Sequence, residues 1–168
     1  MSIDGFRIRR LLEADAEEFR AIRLEALQRH PEAFGASLED EAARSLAFFA
    51  MRLKENAVFG GWVPEEPSLA GIMALHFPSA AKTRHKARLW GVYLRPVARG
   101  RSLAPALLRS VLNHARERVE EVGLSVTAGN AAAERLYEQA GFASFGSEPR
   151  ALKIGEAYHD ERLMLLRF

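Results

Sequence analysis

The 168-residue chain contains no cysteine. That excludes disulfides, thiolate metal ligands and a cysteine nucleophile, so group transfer cannot run through a cysteinyl intermediate. No apolar run approaches the roughly 20 residues needed to cross a bilayer, and no membrane partner is expected. The opening Met1-Ser2-Ile3-Asp4-Gly5 lacks the charged segment and apolar core of a secretory signal. A cytoplasmic location is the resulting expectation. Neither sign of charge dominates: 24 Lys and Arg against 22 Asp and Glu leave a formal net charge of +2. Any positive field must therefore be local. The five histidines lack metal-ligand spacing, and no metal is expected. No linker, repeat or low-complexity segment interrupts the chain, which reads as one domain over residues 1–168.

Hydrophobic residues make up 48% and charged residues 27%, the balance of a globular chain with a substantial core. Phe6, Ile8 and then Leu11 or Leu12 predict a short first strand. Residues 15–30, DAEEFRAIRLEALQRH, predict a helix with acidic residues in its first turn and Pro31 stopping it. Ala43, Leu46, Phe49, Ala50 and Leu53 recur at helical spacing and place a second helix over 39–55. The runs AVFGGWV (57–63) and LAGIMALHF (69–77), joined by Pro64-Glu65-Glu66-Pro67-Ser68, read as a hairpin. KARLWGVYL (86–94) is a third long strand. From about Ser102 a helix runs to Val122 on the stripe Leu103, Leu107, Val111, Ala115, Val119 and Val122, with Gly123 closing it. LSVTA (124–128) is then a strand, and Asn130 caps a helix ending at Gly141. The tail, GFASFG and YHDERLMLLRF, alternates as strands do.

Between strand 86–94 and the long helix lies Arg99-Gly100-Arg101-Ser102-Leu103-Ala104. Two arginines suit the positive end of a helix dipole poorly unless an anion sits there. The amides at a helix mouth have no partners inside the helix. A pyrophosphate can take them and also meet the dipole. Gly100 allows close approach and positive φ, and Pro105 costs little in a first turn. The same hexapeptide also reads as a helix capped by Ser102 with solvated arginines. It is not a Walker P-loop, because Gly-Lys-Ser/Thr is absent, nor a Gly-x-Gly-x-x-Gly loop.

The strand, loop and long helix together resemble the acetyl-coenzyme A motif of the GNAT acetyltransferases, whose pattern is Gln/Arg-x-x-Gly-x-Gly/Ala. Arg99 and Ala104 fit its ends, and Ser102 replaces the inner glycine. NAAAERLYEQAGF (130–142) is similar to the family's second signature through Asn130, Ala133, Leu136-Tyr137 and Gly141-Phe142. YHDERLM (158–164) resembles the closing segment, and RLEALQRHPEAFGAS (23–37) the acceptor-side helices. The resemblance covers almost the whole chain. It implies an α/β (α+β) fold with a central mixed, largely antiparallel sheet of six to seven strands flanked by about four helices.

The resemblance also implies an N-acetyltransferase that moves acetyl from acetyl-CoA to a primary amine of a small molecule or protein, by direct attack in a ternary complex. In such folds the segment equivalent to Trp90–Leu94 splays from its neighbour. Backbone groups of Val92 and Leu94 would bond the pantetheine arm, with Tyr93 between them, and one amide would polarise the thioester carbonyl. Residues Arg99, Gly100, Arg101, Ser102, Leu103 and Ala104 would hold the pyrophosphate. Tyr137 would lie near the coenzyme sulfur and protonate the leaving thiolate, as a phenol with a pKa near 10 can. Its other reading is a core tyrosine. Asn130 is a helix cap, a coenzyme contact, or both. Homodimers are common in the family and are carried over as an expectation.

The base is unassigned. Strand 86–94 carries no glutamate, which leaves His76, His85, Glu25, Glu39, Glu41 or water to accept the ammonium proton. His76, ending an apolar strand, also reads as a structural histidine. Trp62 and Trp90 read as core. The cluster Lys82, Arg84, Lys86, Arg88 lacks the aromatic interleaving of a nucleic-acid surface, so no nucleic-acid partner is expected; it would touch the coenzyme's 3′-phosphate or be solvated. The rival to the enzyme is an acyl-CoA-binding module without transfer.

Overall fold

The computed structural model describes residues 5–168, and of Ser2–Ile3 the backbone alone. The opening segment read above for a secretory signal therefore lies mostly outside the described residues. The strands are β1 (Ser2–Ile3), β2 (Phe6–Arg10), β3 (Ala57–Trp62), β4 (Gly71–His76), β5 (Lys86–Leu94), β6 (Glu121–Thr127), β7 (Ala143–Ile154) and β8 (Ala157–Arg167). The α-helices are α1 (Ala16–Arg29), α2 (Leu38–Ala42), α3 (Leu46–Glu55), α4 (Leu103–Arg116) and α5 (Ala131–Gln139). One sheet runs in the order β1-β2-β3-β4-β5-β6-β8-β7. Every neighbouring pair is antiparallel except β5 and β6, which are parallel. Among the described residues, seven strands of ordinary length plus the two-residue β1 make the mixed, largely antiparallel sheet that the resemblance implied, accompanied by five α-helices.

Two cores lie on the two faces of this sheet. Leu103, Leu107, Val111 and Ala115 of α4 pack with Met73 and Leu75 of β4 on one face. Phe19, Ile22 and Ala26 of α1 and Phe49 and Leu53 of α3 pack with Ile72 and Ala74 on the other. The alternation of β4 between the cores explains its uninterrupted apolar run. A strand covered on both faces has no polar side, and Gly71, Ile72, Met73, Ala74 and Leu75 are all buried.

Three boundaries differ from the sequence reading. The helix expected over 39–55 is two helices, because the chain passes through an extended Ser45 (φ −69°, ψ 162°). Ser37 starts the first of them, its Oγ accepting from the Asp40 amide at 3.1 Å. The long helix stops at Arg116 rather than Val122. Val119 and Val122 are buried, but the first comes from the connecting turn and the second from β6. Their stripe continues that of α4 only because the turn folds back onto the same core. Val122, Leu124 and Val126 alternate with more exposed residues, a period-2 pattern that places Gly123 opposite Leu165 in β6 instead of at a helix end. The first strand ends at Arg10, and the buried Leu11 lies just beyond it.

Candidate active site

The site begins where the sheet comes apart. β5 and β6 pair only at Lys86–Glu121, Ala87–Val122 and Arg88–Gly123; beyond these the strands diverge. On its other edge β5 pairs with β4, but the register slips between Ile72 and Ala74, Tyr93 facing Ile72 and Trp90 facing Ala74. One extra residue of β5 thus forms a bulge at Gly91, whose φ is +62°. The bulge sends Trp90 and Tyr93 to the α1–α3 face and Leu89, Val92 and Leu94 to the α4 face. Because the Arg95 amide donates to Ala70 O at 2.8 Å, strand alternation turns the backbone groups of Leu94 and Val92 away from β4, into the gap.

A cavity of about 960 Å³ fills that gap. Its walls include Val92, Tyr93 and Leu94 of β5, Arg99, Gly100, Ser102 and Ala104 at the head of α4, and Asn130 at the head of α5. Eight of the residues singled out from the sequence therefore meet at one opening. Three do not line it with their side chains. Arg101 turns outward to Glu65, Nη1 to Oε2 at 2.8 Å. Leu103 is fully buried in the α4 core. Tyr137 is also buried, its ring 5.8 Å from that of Phe142 in edge-to-face contact.

At the mouth of α4 the amides of residues 100–104 make no backbone hydrogen bond among the described residues, and the first one made is from Ala106 to Ser102 O at 3.2 Å. Gly100 has φ +70° and nothing near the position a Cβ would take. Ser102 stands in the left-handed region too, φ 65° and ψ 10°, and its side chain makes no cap. The capping role open in the sequence is thus not the one adopted; Ser102 supplies the backbone turn that the motif glycine supplies elsewhere in the pattern. Asn130 does cap α5, Oδ1 accepting from the Ala133 amide at 3.3 Å. Arg99 donates through Nε to Leu94 O at 3.2 Å, which holds its guanidinium over the cavity.

Burial pushes the Tyr137 phenol well above the ordinary tyrosine range, so it stays protonated. Tyr93 is also raised, by burial and then by the Glu25 carboxylate that accepts its hydroxyl proton at 2.9 Å. Burial pushes the Glu41 carboxyl up, but Arg23 and Arg52 outweigh it and hold it below the usual carboxylate range. Glu41 accepts both Nε and Nη2 of Arg23, at 2.9 and 3.0 Å, and Nη1 of Arg52 at 2.7 Å.

The candidate bases are otherwise engaged or distant. His76 Nδ1 lies 3.3 Å from Asn56 Oδ1 and His85 Nε2 lies 3.9 Å from Glu121; neither lines the cavity, nor do Glu39 and Glu41. Glu25 is held by Tyr93 and by Arg95 at 2.8 Å. Sequence reasoning missed His30, Glu32, Phe34, Thr127, Arg135 and His159, all of which line the opening. The turn carrying the first three is pinned across the cavity by Thr127, whose Oγ1 donates to Glu32 O at 2.6 Å. The signals in the sequence were the break of α1 at His30-Pro31 and the resemblance of residues 23–37 to the family's acceptor-side helices, neither of which singles out these side chains. No group of metal-ligating side chains is found among the described residues, and no helix there is long and apolar enough to cross a membrane.

This geometry of splayed strands, bulge and open helix mouth accompanies a match over residues 9–142 to the family model described as Acetyltransferase (GNAT) family. The chain belongs to that family. It is an acetyltransferase by membership, and acetyl-CoA is the family's acyl donor. Among solved structures the chain is similar to an acetyltransferase of the GNAT family from Streptococcus pneumoniae (TM-score 0.85, 21% identity, covering 97% of this chain and 99% of that one). It is similar also to yncA, a putative acetyltransferase from Salmonella typhimurium solved with its cofactor acetyl-CoA (TM-score 0.78, 20% identity, 97% and 94% covered). A third is the ribosomal-protein-alanine N-acetyltransferase from Brucella melitensis (TM-score 0.78, 24% identity, 96% and 99% covered). Curated protein sequences return no match.

Proposed function

We propose that the chain is an N-acetyltransferase acting on a primary amine by direct attack on acetyl-CoA bound in the cavity between β5 and β6. The observation that carries this reading is the set of free amides at residues 100–104, opening onto a cavity of about 960 Å³. Unpaired helix-head amides together with the Arg99 guanidinium suit a pyrophosphate. The backbone groups of Leu94 and Val92 face the gap and suit the amide-rich pantetheine arm. A preorganised amide there, aimed at the thioester carbonyl, would stabilise the oxyanion without reorganising.

In the proposed reaction the amine nitrogen bonds to the thioester carbon, and the tetrahedral intermediate collapses with the C–S electron pair leaving on sulfur. Tyr137, whose ring is buried against Phe142 and does not line the cavity, is the side chain that the family resemblance puts forward to meet that sulfur. A phenol pushed up by burial stays protonated and is a weaker acid, so it gives up its proton only as another replaces it. The second proton shed by the attacking nitrogen is that proton. The acceptor end of the cavity has Glu32 in its wall, a carboxylate suited to an ammonium.

Release of free thiol from acetyl-CoA, measured across a panel of small amines and amine-bearing peptides, tests the reading. Thiol release that requires an amine, with the acetylated amine seen by mass spectrometry, is the expected result. Binding of acetyl-CoA with no transfer to any amine would instead make the chain an acyl-CoA-binding module.

A further inference from the structure

His30 closes the C-terminus of α1, and its ring stands in the cavity wall 6.1 Å from that of Tyr93. Its Nε2 lies 3.2 Å from Arg99 Nη2 and its Nδ1 lies 3.5 Å from Glu32 Oε1. A guanidinium can only donate, so Nε2 must present its lone pair to Arg99. The proton of the neutral ring then sits on Nδ1, toward the Glu32 carboxylate. A lone pair facing the cavity with a carboxylate behind the opposite nitrogen is the arrangement of a general base. In the free protein, Arg99 covers that lone pair.

We propose that His30 is the general base of the acetyl transfer, and that Arg99 masks it until the coenzyme diphosphate draws the guanidinium away. The inference rests on the acetyl-transfer reading and adds to it an order of events, donor before acceptor. One proton of the acceptor ammonium passes to Nε2 and on to solvent. The freed nitrogen pair bonds the thioester carbon, the C–S bond breaks, and sulfur takes the second proton. The groups facing His30 are Arg99 from the loop after β5, Glu32 from the turn after α1, and Tyr93 from β5 with Glu25 of α1 bonded to it. His159 of β8 and Arg135 of α5 line the same cavity.

Two measurements test this. Nitrogen-15 NMR of the His30 ring, with coenzyme A added as the probe, should show an unprotonated Nε2 in the free protein whose resonance moves downfield as Arg99 leaves. Coenzyme A that binds without moving this resonance overturns the inference alone; failure of coenzyme A to bind overturns the acetyl-transfer reading as well. With an amine from the panel, His30→Gln should lower turnover at neutral pH about 10²-fold or more, the rate then climbing with pH as the amine loses its proton in solution. Affinity for acetyl-CoA should stay within about threefold, since glutamine still accepts from Arg99. A folded His30→Gln protein with the wild-type pH profile would exclude the base role.

Discussion

Ser102 carries a left-handed backbone, φ 65°, at the position where the family pattern has glycine. For an L-residue with a Cβ this conformation costs roughly 1 kcal/mol. Ser102→Gly should therefore raise stability, partly offset by the greater freedom of glycine in the unfolded chain. The expected gain is about 0.5–1 kcal/mol, or a melting temperature about 2 °C higher, read by calorimetry. An unchanged or lower melting temperature would mean the serine is not strained. Tyr137 poses a sharper question. The residue was legible from its spacing to Asn130 and to Gly141-Phe142, yet its buried ring and the cavity wall are separate facts that no spacing conveys. If the hydroxyl assists the thiolate, Tyr137→Phe should lower turnover about 10²–10⁴-fold with acetyl-CoA affinity nearly intact, because the packing against Phe142 survives. Wild-type turnover in that variant would leave Tyr137 a core residue.

Elements were legible where one period dominated. The hairpin of β3 and β4, strand β5 and the cap at Asn130 follow from continuous apolar runs and turn or cap residues. The split of 39–55 into α2 and α3 did not, because its cause is a long-range contact. α2 turns so that Glu41 meets Arg23 on α1 and Arg52 on α3, and only 4% of Glu41 is exposed. Removing the charge from a buried, doubly paired carboxylate strands two guanidinium groups. Glu41→Gln is expected to cost about 3 kcal/mol, measurable by denaturant unfolding. The pH dependence has a definite sign. Since the folded carboxyl is held below its ordinary value, its contribution is complete above the unfolded pKa of about 4.3 and is lost as pH falls through the lowered folded value. Stability of the wild type should drop more steeply on acidification than that of Glu41→Gln. Parallel acid profiles would contradict this role for the cluster.

At the scale of the molecule, the divergence of β5 from β6 after three paired residues converts a sheet into a receptacle. The two halves of the cavity differ in how they can be read. The donor half is local: strand, loop and helix follow one another over 86–116, so the motif keeps its order in the sequence. The acceptor half gathers His30, Thr127 and His159 from far apart, and nothing but the folded topology brings them together. A ligand that binds only the folded state must raise its stability, by roughly 2.7 kcal/mol at a hundredfold excess over Kd. Acetyl-CoA should thus raise the melting temperature by several degrees.

The central claim is that the open amides at the head of α4 hold the coenzyme. A calorimetric titration of acetyl-CoA into the wild type and into Gly100→Val tests it most directly. Nothing lies within 4 Å of where a Cβ at Gly100 would stand, so the side chain meets no protein atom. It does fill the space proposed for the pyrophosphate, and its φ of +70° disfavours a branched residue. Stoichiometric binding by the wild type and affinity at least about tenfold weaker, or 1.4 kcal/mol, in a still-folded Gly100→Val is the predicted result. Equal affinity in the two proteins would place the pyrophosphate elsewhere and contradict the account.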